Sequence, residues 1–65
     1  MSDEMIETLE EIIKVERHMK ERFSRLSEKA ETPEMRALFR ELAQEEEGHE
    51  KTLSERLTAL RLMRD

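Results

Sequence analysis

Two glutamates and one histidine have the types and the spacing to bind a metal ion. Glu46 follows Glu16 by 30 residues, and His49 follows Glu46 by three, which makes a Glu-x-x-His motif. Helical residues three apart lie on nearly the same face, so both side chains can reach one ion. Carboxylate oxygen and imidazole nitrogen suit Fe, Mn or Zn, and the chain has no cysteine that could supply a thiolate. Glu16, Glu46 and His49 are therefore the candidate metal ligands.

Two long helices are predicted to position these residues. The 65-residue chain has one Gly and one Pro, and it is rich in Glu, Leu, Arg, Lys, Met and Ala, which all favour helices. Thr32 followed by Pro33 is a helix-start signature, because Thr caps free N–H groups and Pro suits the first helical position. The sequence predicts a single domain over residues 1–65. Its helices run over about residues 3–30 and 33–64, with a turn at residues 31–32.

Apolar residues recur along both predicted helices in alternating steps of four and three. This spacing is typical of helices that pack along a shared seam. The predicted seam consists of Met5, Leu9, Ile12, Glu16, Met19, Phe23, Leu26 and Ala30 in the first helix, and Met35, Phe39, Leu42, Glu46, His49, Leu53, Leu57 and Leu60 in the second. Its polar members are the three candidate ligands.

The polar seam residues are predicted to lie at one height of the hairpin. Across an antiparallel hairpin that turns near residue 31, facing residues have numbers that add up to about 62. This rule pairs Glu16 with Glu46, as it pairs Phe23 with Phe39. Two buried carboxylates without a partner cost several kcal/mol, and the seam has no Lys or Arg at this level. A divalent cation would satisfy both carboxylates and the imidazole, so the sequence predicts a metal site.

One hairpin supplies only half of the ligands that a dimetal carboxylate site needs. In four-helix bundles such a site takes a Glu from each of two helices and a Glu-x-x-His from each of the other two. A 65-residue chain also has a small core and usually needs extra stabilisation, which disulfides cannot provide here. The predicted fold is therefore all-α, a two-helix antiparallel hairpin that dimerises into a four-helix bundle.

These motifs resemble those of the ferritin-like superfamily. Glu16 stands seven residues before Phe23, residues 32–39 read TPEMRALF, and residues 45–49 read EEEGH. The pattern is similar to that of rubrerythrin-like domains and of the short encapsulated ferritins. The resemblance implies a non-haem diiron centre with two Fe ions per dimer, in which Glu46 bridges the metals and Glu16 and His49 are terminal ligands. It also implies ferroxidase activity, the oxidation of Fe²⁺ to Fe³⁺ by O₂ or peroxide, for iron storage or detoxification.

The resemblance and the composition lead to expectations about partners and location. The two half-sites predict a homodimer as the minimal unit. The resemblance to encapsulated ferritins implies a larger ring as an alternative and an encapsulin-type shell as an alternative partner, although no shell-targeting tail is recognised. The net charge of −5 argues against nucleic acid, and no apolar run reaches the roughly 18 residues of a membrane span. The expected location is the cytoplasm, or the inside of a protein nanocompartment.

Other interpretations of the same residues stay open. Glu45 is the alternative metal ligand, Mn and Zn are the alternative metals, and His18 is either an exposed surface residue or an outer metal contact. Glu47 and Glu50 are expected on a solvated face, with Glu50 alternatively orienting His49. The alternative functions are rubrerythrin-like peroxide scavenging and a metal-free helical oligomerisation module.

Overall fold

Two helices joined by a short turn make up the computed structural model of the protein, which describes residues 3–64. Helix α1 spans Asp3–Lys29 and helix α2 spans Pro33–Arg64. They pack against each other as an antiparallel rod whose Cα atoms extend over 50 × 15 × 10 Å. The predicted all-α hairpin is confirmed, although α1 ends one residue before the predicted Ala30. Residues 1, 2 and 65 of the predicted domain lie outside the described residues.

The turn between the helices depends on capping hydrogen bonds rather than on glycine. The Met35 amide donates to Thr32 Oγ1 at 3.1 Å, as expected for an N-cap threonine. Arg36 Nη2 donates to the carbonyl of Ala30 at 3.3 Å, and Ser27 Oγ donates to the carbonyl of Arg36 at 3.1 Å. Within residues 3–64 no residue has a positive φ, so the chain reverses without the left-handed residue that often ends a helix.

The core of the hairpin is a narrow seam between the helices. Its buried apolar residues are Ile6, Ile13, Ala43 and Leu57. Leu9 and Leu53 pack against the cluster that Ile6, Ile13 and Leu57 form. The rings of Phe23 and Phe39 stack with centroids 6.5 Å apart, which confirms their predicted pairing. This stack fixes the register of the two helices on the turn side of the candidate ligands.

The observed seam is rotated relative to the predicted one. Four predicted seam residues are exposed by 39–58%: Met5, Ile12, Leu26 and Met35. In α1 the buried apolar residues are instead Ile6 and Ile13, exposed by only 4% and 7%. The apolar stripe on α1 covers three positions of each heptad, and a stripe of that width has two edges. The partner helix covers one edge, and the other edge faces outward.

These uncovered edges form an exposed apolar surface, which we call the open face. It comprises the exposed Met5, Ile12 and Leu26 of α1 and Met35 of α2, together with the half-buried Met19 of α1 and Leu42 of α2. On each helix these residues recur every seven positions, about two turns, so they share one side. Leu26 and Met35 line one groove beside the turn, which shows that the two helices present their uncovered edges on the same side. His49 follows Leu42 by seven residues and continues the same line.

Candidate metal centre

The three predicted ligands come together near the middle of the rod. Glu16, Glu46 and His49 each offer one ligand atom, and these atoms all lie within 4.8 Å of one another. Glu16 and Glu46 are half-buried between the helices, whereas the side chain of His49 is 62% exposed. The cluster thus has two carboxylates in the seam and an imidazole at the rim of the open face.

Glu16 has an oxygen atom without a partner. Its Oε2 is buried and accepts no hydrogen bond, although Nδ1 of His49 lies 3.5 Å away. Leaving a buried acceptor unsatisfied costs about 1–3 kcal/mol, and more when the group is charged. Such atoms are rare in native proteins, and an ion or a water molecule is a common explanation. A cation between Glu16 and His49 would supply the missing partner, so these residues fit a metal ion.

Glu46 is directly coupled to the second carboxylate. The main cause that raises the pKa of Glu46 is the hydrogen bond that its protonated form can donate to the Glu16 carboxylate, and desolvation and the negative charge of Glu16 act in the same direction. The charge of His49 opposes this shift, and the charge of Glu45 adds to it. A bound cation reverses the balance, because it stabilises the ionised form of both carboxylates. The arrangement therefore favours either a shared proton or a cation.

Glu50 forms an ion-pair cluster behind the two carboxylates. Arg17 Nε donates to Glu50 Oε1 at 2.7 Å, and Lys20 Nζ donates to Glu50 Oε2 at 3.5 Å. The hydrogen bond from Arg17 and the charges of both cations hold the pKa of Glu50 below its usual range. The side chain of Glu50 is only 15% exposed, so the prediction that it lies on a solvated face is wrong. Its carboxylate binds these two cations, and the structure gives it no hydrogen bond with His49.

Comparison with protein families identifies the chain. The rubrerythrin family model matches residues 4–65. The chain belongs to the rubrerythrin family. This family is part of the ferritin-like superfamily and typically binds iron, so the predicted resemblance is confirmed. Comparisons with curated proteins and with solved structures found no significant match.

Other predictions about this rubrerythrin-family chain concern residues around the cluster. Glu45 and His18 are exposed, and neither belongs to the ligand cluster found among residues 3–64. Glu47 is exposed, as predicted. A methyl group added at Gly48 would meet nothing within 4 Å, so no close helix approach inside the hairpin requires this glycine. No helical stretch in the described range is both long enough and apolar enough to cross a membrane.

Sequence reasoning missed the Arg17–Glu50–Lys20 cluster of this rubrerythrin-family hairpin, although a signal exists. Arg17 follows Glu16 directly, Lys20 comes one turn after Glu16, and Glu50 comes one turn after Glu46. Helical side chains lean toward the N-terminus of their own helix, so in antiparallel helices Lys20 and Glu50 lean toward each other. Opposite charges placed one turn beyond each predicted ligand are the pattern that would have revealed the cluster.

Proposed function

We propose that two copies of this chain pair through their open faces and form a diiron centre that oxidises Fe²⁺ to Fe³⁺. The buried, unpartnered Oε2 of Glu16, next to Glu46 and His49, is the observation that carries this proposal. Membership of the rubrerythrin family supports iron as the metal. Two hairpins together offer Glu16 twice and the Glu46–His49 pair twice, which is the ligand set of ferritin-like dimetal sites.

The open face supports a second copy of the chain as the partner. The Cα atoms of the rod extend over 50 × 15 Å on its long side, which is large enough for an interface of the size that stable complexes need, roughly 800 Å² per partner. Contiguous apolar surfaces of several hundred Å² on soluble proteins commonly mark interaction sites. His49 lies on the rim of this face, so a copy docked there would bring its own ligands to the same level. Pairing would bury the exposed methionines and leucines and complete the ligand set.

Fe²⁺ is the substrate of the proposed reaction. Two Fe²⁺ ions give up one electron each, and one H₂O₂ takes up these two electrons and two protons to become two water molecules. With O₂ as the oxidant, the same two electrons and two protons yield one H₂O₂. Glu16 and Glu46 would bind the ions through their carboxylate oxygens, and a cation between them would favour the ionised form of both carboxylates. His49 would contribute an imidazole nitrogen, and the ligands of two copies would hold two ions close enough to give their electrons to one oxidant molecule.

Stopped-flow oxidation of added Fe²⁺ tests the proposal. We expect the parent protein to oxidise Fe²⁺ rapidly. We expect Glu46→Ala to lose this activity, because the substitution removes the carboxylate that would bind both ions if the centre resembles those of the family. Glu47→Ala is the matched control, since it removes the same charge from the neighbouring, exposed position. Oxidation by Glu46→Ala at the parent rate would show that the centre lies elsewhere. Sedimentation of metal-loaded protein as a monomer would contradict the shared site.

Peroxide scavenging is a second candidate, because the family model that matches the chain is that of rubrerythrin. The two activities differ in the oxidant that the reduced centre consumes. If the protein is a peroxidase, Fe²⁺ oxidation will be much faster with H₂O₂ than with O₂, and H₂O₂ will disappear catalytically when a reductant is supplied. A metal-free oligomerisation module would instead purify without metal and would dimerise equally well in chelator.

A further inference from the structure

The Arg17–Glu50–Lys20 cluster spans the two helices beside the candidate ligands. Arg17 is the residue after Glu16, and Glu50 is the residue after His49. Glu50 occupies the same heptad position as Leu57, which is buried in the seam on the side away from the open face. The cluster thus lies on one side of Glu16 and Glu46, and His49 and the open face lie on the opposite side.

The ion pairs in this cluster are directional, unlike the apolar contacts of the seam. The planar guanidinium of Arg17 binds one carboxylate oxygen of Glu50 at 2.7 Å, and the Lys20 ammonium approaches the other at 3.5 Å. Charge-assisted hydrogen bonds of this kind have a narrow preferred geometry. The free energy of apolar burial changes little when one helix shifts slightly against the other, because it depends on the buried area rather than on the direction of the contacts. Sliding or rotation of α1 against α2 would therefore break the cluster before it exposed the core.

The metal-free site needs such a restraint. The carboxylates of Glu16 and Glu46 have ligand atoms within 4.8 Å of each other, and Oε2 of Glu16 is buried without a hydrogen bond. Repulsion between them favours a shift that separates α1 from α2 at this level. The ion pair between Arg17 and Glu50 opposes that shift. Arg17 follows Glu16 and Glu50 follows His49, so this ion pair draws together the parts of α1 and α2 that carry the ligands.

We propose that the Arg17–Glu50–Lys20 cluster is a positioning device, which holds Glu16 opposite Glu46 and His49 before the metal binds. The inference rests on the proposed function in one respect, namely that a metal ion binds to these three ligands. Arg17, Lys20 and Glu50 would affect the ligands only by fixing the position of the two helices, and they contact no substrate. They are therefore positioning residues rather than catalytic ones.

A titration with Co²⁺, followed by its visible absorption, separates positioning from simple electrostatics. Arg17→Met removes a positive charge close to a cation site, so an electrostatic role alone would make Co²⁺ bind more tightly. Positioning requires the opposite result, a dissociation constant about tenfold larger, as is common when groups that orient metal ligands are lost. Glu50→Gln should weaken binding to a similar extent and change the absorption bands, which report the coordination geometry. Glu47→Gln, at an exposed position of the same helix, should stay within about twofold of the parent.

Each variant is compared at a temperature at which circular dichroism shows parent-like helix content. Unchanged or tighter Co²⁺ binding by folded Arg17→Met would overturn the inference. If Arg17→Met lost its helices, Arg17→Lys would test the inference instead, because Lys keeps the charge but not the planar guanidinium. Weaker Co²⁺ binding by Arg17→Lys would support positioning, and Co²⁺ binding equal to that of the parent would overturn it. The proposed function fails separately, if the parent protein binds no Co²⁺ or if Glu16→Ala leaves binding unchanged.

Discussion

Replacing Glu46 with glutamine should stabilise the metal-free protein and abolish its stabilisation by metal. In the absence of metal, Glu46 faces the Glu16 carboxylate, and the raised pKa of Glu46 shows that its ionised form is disfavoured there. Glutamine has nearly the same shape but no charge, and its amide can donate a hydrogen bond to the unpartnered Oε2 of Glu16. Both changes favour the folded state. With metal present, however, the variant lacks an anionic ligand.

The size of the effect follows from the separation of the two groups. Their ligand atoms lie within 4.8 Å, and two like charges at that distance repel by about 3.5 kcal/mol at an effective dielectric constant of 20 and about 0.9 kcal/mol in water. Both side chains are half-buried, and protonation of Glu46 limits the repulsion, so we expect a gain of about 1–2 kcal/mol in the free energy of unfolding. For a domain of this size, each 1 kcal/mol raises Tm by about 4–8 °C.

Thermal unfolding in chelator and in excess Zn²⁺ measures both halves of this prediction. The parent should gain about 2.7 kcal/mol when free metal reaches 100 times its Kd, whereas Glu46→Gln should gain little. Glu47→Gln controls for the change in net charge, and its stability should differ from that of the parent by less than about 0.5 kcal/mol in chelator. A lower Tm for Glu46→Gln than for the parent in chelator would refute the view that Glu16 and Glu46 destabilise each other. An undiminished Zn²⁺ effect in the variant would refute its role as a ligand.

Three further predictions concern pH and local structure. In chelator, the stability of the parent relative to Glu46→Gln should fall as pH rises above about 4.3, because a raised pKa means that the folded state binds more protons than the unfolded state. Urea unfolding at several pH values measures how this stability difference changes with pH, and a change of opposite sign would contradict the prediction. Gly48→Ala should raise the free energy of unfolding by up to about 1 kcal/mol, because the added methyl group has open space and Ala favours the helix; lower stability would mean that something packs against Gly48 in solution. Thr32→Ala should cost about 1 kcal/mol, because it removes the 3.1 Å hydrogen bond from the Met35 amide, and Thr32→Ser should restore most of that loss.

The break between the helices and the meeting of the ligands could be predicted because both depend on local signals. Thr32 and Pro33 determine where α2 begins, and a turn of three residues leaves little freedom in how the helices align. The Phe23–Phe39 stack, with centroids 6.5 Å apart, follows from that alignment. The same alignment brings Glu16 to the level of Glu46.

The rotation of the helices about their axes could not be predicted in the same way. Ile12 and Ile13 are both isoleucines, yet Ile13 is buried and Ile12 is exposed. Hydrophobicity does not distinguish them, because a stripe three positions wide permits two seams, and packing against the other helix selects one. Glu47 and Glu50 pose the same problem with charges, since only the three-dimensional arrangement shows which of them meets cations.

The proposed sharing of one centre between two chains, through the open face, would have a genetic consequence. If each centre needs ligands from two chains, a chain with a damaged half-site also inactivates the intact chain with which it pairs. In an equal mixture of intact and damaged chains that pair at random, only about one centre in four would be built from two intact chains. A damaged copy would therefore act as a dominant-negative allele. The number of working centres would also fall more steeply than the chain concentration on dilution, because two chains must meet to form each centre.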